Sequence, residues 1–99
     1  MLKRLPMPKV RLYNIFRNRV GKPEVEMPAE EGMTLDGLLD ALEAKTPGFR
    51  KLVLNDDGER PREGVAVMIN GKTVLARNPL GTRIGPEDEV TFVPAIAGG

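Results

Sequence analysis

A single stripe of leucines is the feature that most narrowly limits how this chain can fold. Four of them recur at the spacing of one helical face: Leu35, Leu38, Leu39 and Leu42. Thr34 precedes them as a suitable N-cap, Asp36 lies in the first turn, and Pro47-Gly48 ends the pattern. The predicted helix runs from Leu35 to Lys45. The stripe covers barely two turns, which favours a helix packed across a small sheet over a coiled-coil seam.

Strand-like segments lie on both sides of this helix. Alternating, β-branched and aromatic residues predict strands at residues 9–16, 22–27, 65–69, 72–75 and 90–93. Gly21 supplies a turn between the first two strands, which form a hairpin. Asn70-Gly71 is a stronger hairpin signal, because both residue types tolerate a positive φ. The order predicts an α+β fold: a mixed sheet of four to five strands with one main helix across one face.

Smaller features complete the expected fold. In the first strand, Val10 and Leu12 are expected on one face, with Tyr13 and Ile15 on the other. Residues 49–54 fit a further helical turn, and Leu80 and Ile84 are expected to point inward. Residues 55–64 are predicted to form a surface loop, in which the sequence Asn-Asp-Asp-Gly at 55–58 favours a turn over a metal site.

The last ten residues point to a function. A short strand ends at Val93, Pro94 cannot donate to a ladder, and small residues then lead to Gly98-Gly99. Six extended residues reach at most about 20 Å, and glycine lets a backbone enter a channel too narrow for side chains. The terminal carboxylate is ionised at neutral pH and must be activated, for instance as an acyl-adenylate, before a nucleophile can attack it. Such a tail suits a carrier that presents its terminus to another protein's active site.

Composition excludes several classes of enzyme. The 99 residues include no Cys, His, Ser or Trp. Ser-His-Asp and Cys-His nucleophile systems are therefore excluded, as are zinc sites built on Cys or His. The net charge is +1, and the sequence contains neither a run of about 18 apolar residues nor the apolar core of a signal peptide. A single domain in the cytoplasm, with no role in a membrane, is the expectation.

Basic residues are concentrated near the start of the chain. Seven of them precede the first acidic residue, Glu24: Lys3, Arg4, Lys9, Arg11, Arg17, Arg19 and Lys22. One interpretation is a nucleic-acid patch. The other, which we favour, is a solvated basic face that can dock an acidic partner. A nucleic-acid-binding module therefore remains an alternative of a different class.

Several stretches together resemble the β-grasp, ubiquitin-like sulfur carriers of the MoaD/ThiS family, and most closely the MoaD-like small subunit of molybdopterin synthase. The resemblance spans residues 9–99. It includes an aromatic residue followed by Arg and Gly at residues 13–21, the Asn70-Gly71 hairpin, residues 80–93, and the Pro-x-x-x-Gly-Gly ending at 94–99. The chain departs from the family at residues 85–89, where Gly-Pro-Glu-Asp-Glu replaces the usual Gly-Asp-Glu.

The resemblance implies a carrier rather than an enzyme. An activating enzyme would use ATP to adenylate Gly99, and a sulfur donor would convert the adenylate to a thiocarboxylate. The large subunit of molybdopterin synthase would then accept the tail, and the sulfur would pass to a pterin precursor of the molybdenum or tungsten cofactor. Gly98 would allow passage of the tail, and Ile96 and Ala97 would line the channel. No cofactor or metal is expected on the chain itself.

The same resemblance suggests residues that dock partner proteins, a domain organisation and alternative functions. Tyr13, Arg17 and Val93 match positions at which the family docks its partners. The expected organisation is an N-terminal extension at residues 1–8, a β-grasp domain at 9–93 and a reactive tail at 94–99. The same acyl-adenylate also serves tRNA thiolation, thiazole synthesis and conjugation to lysines, so these remain alternative functions.

Overall fold

A computed structural model describes residues 7–27, 32–75 and 77–94. They form a five-stranded sheet in the order β2-β1-β5-β3-β4. The strands are β1 (Lys9–Leu12), β2 (Glu24–Glu26), β3 (Val65–Ile69), β4 (Lys72–Thr73) and β5 (Glu89–Pro94). β1 runs parallel to β5, and the other neighbouring pairs are antiparallel. The predicted α+β architecture with a mixed sheet is confirmed.

The leucine stripe forms α2 (Leu35–Lys45), with the predicted bounds. The Thr34 hydroxyl accepts a hydrogen bond of 3.3 Å from the backbone N–H of Gly37, which caps the helix. All four leucines are buried against the sheet. The helical turn expected near residue 49 is α3 (Phe49–Val53), and Pro79–Gly81 forms one turn of 3₁₀ helix.

The prediction for residues 13–16 is wrong. β1 ends at Leu12, and a short helix, α1 (Ile15–Val20), follows it. Phe16 is completely buried and Val20 packs against the core, a spacing of four that suits a helix. Tyr13 and Ile15 therefore do not share a sheet face. β1 and β2 do pair as an antiparallel couple, as expected, but α1 lies within their connection.

Three phenylalanines join α1, α3 and β5 at the centre of the core. The ring centroids of Phe16 and Phe49 are 6.0 Å apart, those of Phe16 and Phe92 are 6.1 Å apart, and those of Phe49 and Phe92 are 5.4 Å apart. Tilted and edge-to-face pairs of this kind contribute about 0.5–1.5 kcal/mol each beyond their buried area. The cluster anchors β5, the strand from which the tail leaves.

Several smaller predictions can be compared with the structure. Asn70 and Gly71 adopt φ of 52° and 82° and join β3 to β4, as expected for this hairpin. Ile84 is buried and Leu80 partly so. The turn at 55–58 is present, with Gly58 N–H donating to the carbonyl of Asn55. Pro94 is still paired with Val65, so β5 extends one residue beyond the predicted end.

Candidate docking site at the base of the tail

The two faces of the sheet have different surroundings. Side chains alternate along β5, so that Val90 and Phe92 are buried beneath the helices while Thr91 and Val93 lie on the outer face. Side chains at the centre of the outer face are partly exposed to solvent. This centre, formed by Ala66, Met68 and the two outer residues of β5, is small and mostly apolar.

A ladder of charges borders this apolar centre on the side of β1 and β2. The Arg11 guanidinium lies 3.3 Å from a carboxylate oxygen of Glu89 and 3.6 Å from one of Glu24. Lys9 lies 4.0 Å from Glu24. A hydrogen bond with the Tyr13 side chain, together with the charge of Glu89, raises the pKa of Arg11 above its ordinary value. These pairs are solvent-exposed and screened by water, so they give register and charge balance more than stability.

The predicted docking residues lie at one end of the sheet. β1 and β5 are parallel, and Leu12 is in register with Phe92. Tyr13 and Val93 follow these two residues and so lie at the same end. Tyr13 is 45% exposed and Val93 is partly exposed. Arg17 lies on α1, immediately after this end, and is exposed.

The tail residues predicted to react or to enter a partner's channel are Ile96, Ala97, Gly98 and Gly99. They lie outside the described residues. Pro94 is the last residue described, and it pairs with Val65 at the same end of the sheet as Tyr13. The described part of the chain therefore places the base of the tail beside the predicted docking residues.

The prediction from sequence missed Ile15. Its side chain is 45% exposed, although Ile is usually buried. The signal was present: Asn14 favours a turn, and Phe16 and Val20 have helical spacing. The strand-like alternation of Val10, Leu12 and the residues after them obscured it.

The basic residues described between positions 9 and 22 do not form one open patch. Lys9 and Arg11 pair with glutamates, and the Arg19 guanidinium donates a hydrogen bond of 3.0 Å to the carbonyl of Pro47. Lys3 and Arg4 lie outside the described residues. Within residues 7–27, 32–75 and 77–94, no cluster of acidic side chains suits a metal ion, and no helix is long and apolar enough to cross a membrane.

A mixed five-stranded sheet with one main helix across it, and a last strand that leads into a glycine-ended tail, defines a ubiquitin-like β-grasp protein. The chain belongs to the ThiS family, whose sequence model matches residues 10–99. Both the fold and the family resemblance inferred from the sequence are confirmed. This membership also confirms the expectation of a small carrier or modifier, as opposed to an enzyme.

Individual relatives agree with this assignment. Small archaeal modifier protein 3 of Haloferax volcanii is 28% identical over 92% of this chain and 97% of its own length. A protein of Archaeoglobus fulgidus, provisionally described as a sulfur carrier, is 30% identical over 81% of this chain and 89% of its own length. The crystal structure of SAMP1 from Haloferax volcanii is 26% identical, with a TM-score of 0.75, and covers 93% of this chain and 98% of that one.

Proposed function

We propose that this chain is a sulfur carrier whose C-terminal glycine is adenylated and then converted to a thiocarboxylate. The observation that best supports the proposal is the family match, which continues through the whole tail to Gly99. The last core strand ends at Pro94, so five residues remain. They can reach at most about 18 Å from the domain, which is enough to enter a partner's active site.

The chemistry belongs to the terminus and the partners. A carboxylate oxygen of Gly99 attacks the α-phosphorus of ATP and displaces pyrophosphate, which leaves an acyl-adenylate. A sulfide equivalent from the sulfur donor attacks the carbonyl carbon, AMP leaves, and the thiocarboxylate remains. Gly98 has no Cβ to obstruct a narrow channel, while Ala97 and Ile96 contact its walls. The activating enzyme binds the ATP and supplies every catalytic side chain.

The docking surface combines the apolar centre of the outer face with Tyr13, Arg17 and Val93. Its position at the base of the tail means that a partner bound there receives the terminus directly. The first acceptor that we propose is a pterin precursor in molybdenum or tungsten cofactor synthesis, held by the large subunit of a molybdopterin synthase. This choice follows from the likeness of residues 80–99 to the MoaD pattern.

Protein conjugation is the second candidate. It is favoured by the names of two relatives. The 28% identical protein is small archaeal modifier protein 3, and the 26% identical structure is that of SAMP1, which is also a small archaeal modifier protein. The two functions share the acyl-adenylate and differ in the nucleophile. Sulfide gives a thiocarboxylate, whereas the amine of a lysine gives an isopeptide bond.

Intact-mass spectrometry with fragmentation of the C-terminus tests the proposal on protein purified from its native host. The expected result is the replacement of one terminal oxygen by sulfur at Gly99. A variant lacking Gly99 is the matched control and stays unmodified. A branched peptide on a lysine would assign the protein to conjugation. A terminus that carries neither change, and that the host's activating enzyme does not adenylate, would contradict both functions.

A further inference from the structure

The corner between β1 and α1 has an unusual backbone. Phe16 N–H donates a hydrogen bond of 3.2 Å to the carbonyl of Tyr13, which closes a four-residue turn. Asn14, the second residue of this turn, adopts φ 55° and ψ −123°. These angles match the first central position of a type II′ turn, where glycine is the usual residue. The side chain of Asn14 makes no capping hydrogen bond that would compensate.

This strained turn holds two large apolar side chains in solvent. Tyr13 and Ile15 are each 45% exposed, whereas Phe16 next to them is fully buried. Among the described residues, the large exposed apolar side chains are these two and Leu75. A sparsely populated backbone conformation at such a place is a recurrent mark of functional sites, because the surrounding structure must enforce it.

A positively charged residue follows the corner on α1. Arg17 is exposed and makes no ion pair or side-chain hydrogen bond within the described residues. The nearby ladder balances its own charges, since Lys9 and Arg11 face Glu24 and Glu89. A complementary surface is therefore apolar where it meets Tyr13 and Ile15 and carries carboxylates where it meets Arg17.

We propose that the corner, defined as residues 13–15, is a preformed docking knob for the adenylating enzyme, and that Ile15 determines the affinity of that enzyme for this carrier. The partner surface is an apolar pocket with a carboxylate at its rim. The inference rests on the proposed function, because the knob lies beside the base of the tail that the same enzyme must receive. A rigid knob restricts the orientation of the bound domain and so directs the tail toward the ATP site.

The test measures ATP–pyrophosphate exchange by the adenylating enzyme of the source organism as a function of the concentration of this protein. Ile15→Gln is expected to raise the KM for the carrier about tenfold and leave kcat unchanged, because an apolar contact made on docking is lost. Ile15→Leu should retain the wild-type KM. Leu75→Gln is the matched control: it also removes an exposed apolar side chain, but one beyond β4 at the far edge of the sheet, and it should change neither constant.

Arg17→Gln gives an independent readout that does not depend on how the Ile15 variants fold. The wild-type KM should rise with ionic strength, and the variant should lose most of that dependence. An unchanged KM for a folded Ile15→Gln protein, or an equal increase for Leu75→Gln, would overturn the assignment of the knob while leaving the carrier function intact. A wild-type protein that supports no exchange would overturn both.

Discussion

Asn14 holds a backbone conformation that glycine adopts without strain, so Asn14→Gly should stabilise the domain. A residue in a sparsely populated region of this kind costs about 1–3 kcal/mol. Glycine also has more conformational freedom than asparagine in the unfolded chain, which offsets about 0.4–1 kcal/mol of this stabilisation. Removing the side chain loses no capping hydrogen bond, and Asn14 is exposed. The net expectation is a gain of about 1 kcal/mol in the free energy of unfolding.

Urea denaturation followed by circular dichroism measures this change, and a thermal scan provides a second estimate. For a domain of this size, a gain of about 1 kcal/mol raises Tm by about 4–8 °C. The urea m-value should stay constant, because the change affects an exposed turn and not the area buried on folding.

Asn70→Gly is the matched comparison, since Asn70 also has a positive φ, of 52°. Its side chain, however, donates a hydrogen bond of 2.9 Å to Asp88 and accepts one of 2.9 Å from the backbone N–H of Glu89. Losing these bonds should destabilise the domain by about 1–2 kcal/mol. The two substitutions should therefore have opposite signs. A loss of stability in Asn14→Gly would refute the argument that the corner is strained.

Three other outcomes are expected. Deleting Gly99 should abolish adenylation in an exchange assay without a measurable change in Tm; a large fall in Tm would show that the terminus supports the fold. Leu39→Ala should cost about 2–5 kcal/mol in urea denaturation because its side chain is fully buried, and a near-neutral result would contradict its place in the core. Hydrogen bonds from the backbone N–H groups of Gly48 and Arg50 lower the pKa of Glu43 from its ordinary value of 4.5. The stabilisation by Glu43 should be complete above that value and disappear as the pH falls through the lower pKa of the folded protein, so the stability difference between wild type and Glu43→Gln should shrink in acid. A difference that is independent of pH would contradict this role for the carboxylate.

Local sequence patterns were sufficient to predict an element when nearby residues mark where it begins, which face is buried and where it ends. α2 has a cap, a leucine stripe and a proline stop, and its bounds agree with the prediction. Asn70-Gly71 specified its hairpin, because few residue pairs accept two positive φ angles. The Gly98-Gly99 ending and the absence of Cys, His and Ser restrict the possible reactions of the chain independently of its fold.

The local pattern failed at residues 13–16. Alternation through Val10 and Leu12 favours a strand, and this pattern obscures the turn preference of Asn14. The helix begins because Phe16 is buried against Phe49 and Phe92, and both partners are distant along the chain. Only the packed core makes this contact available, so the turn preference of Asn14 and the spacing of Phe16 and Val20 did not by themselves fix the exposure of Ile15.

The sequence by itself determined the fold class, the main helix, the hairpin between β3 and β4, and the run of small residues that leads to Gly98-Gly99. Each of these depends on residues close together in the chain, whose spacing and backbone preferences act locally. The tertiary structure decided which residues surround the base of the tail. The parallel pairing of β1 with β5 places Tyr13 beside Val93, although 79 positions separate Lys9 from Asp88 at the hydrogen bond that begins this pairing. Such proximity arises from long-range strand pairing and burial, which local spacing does not encode.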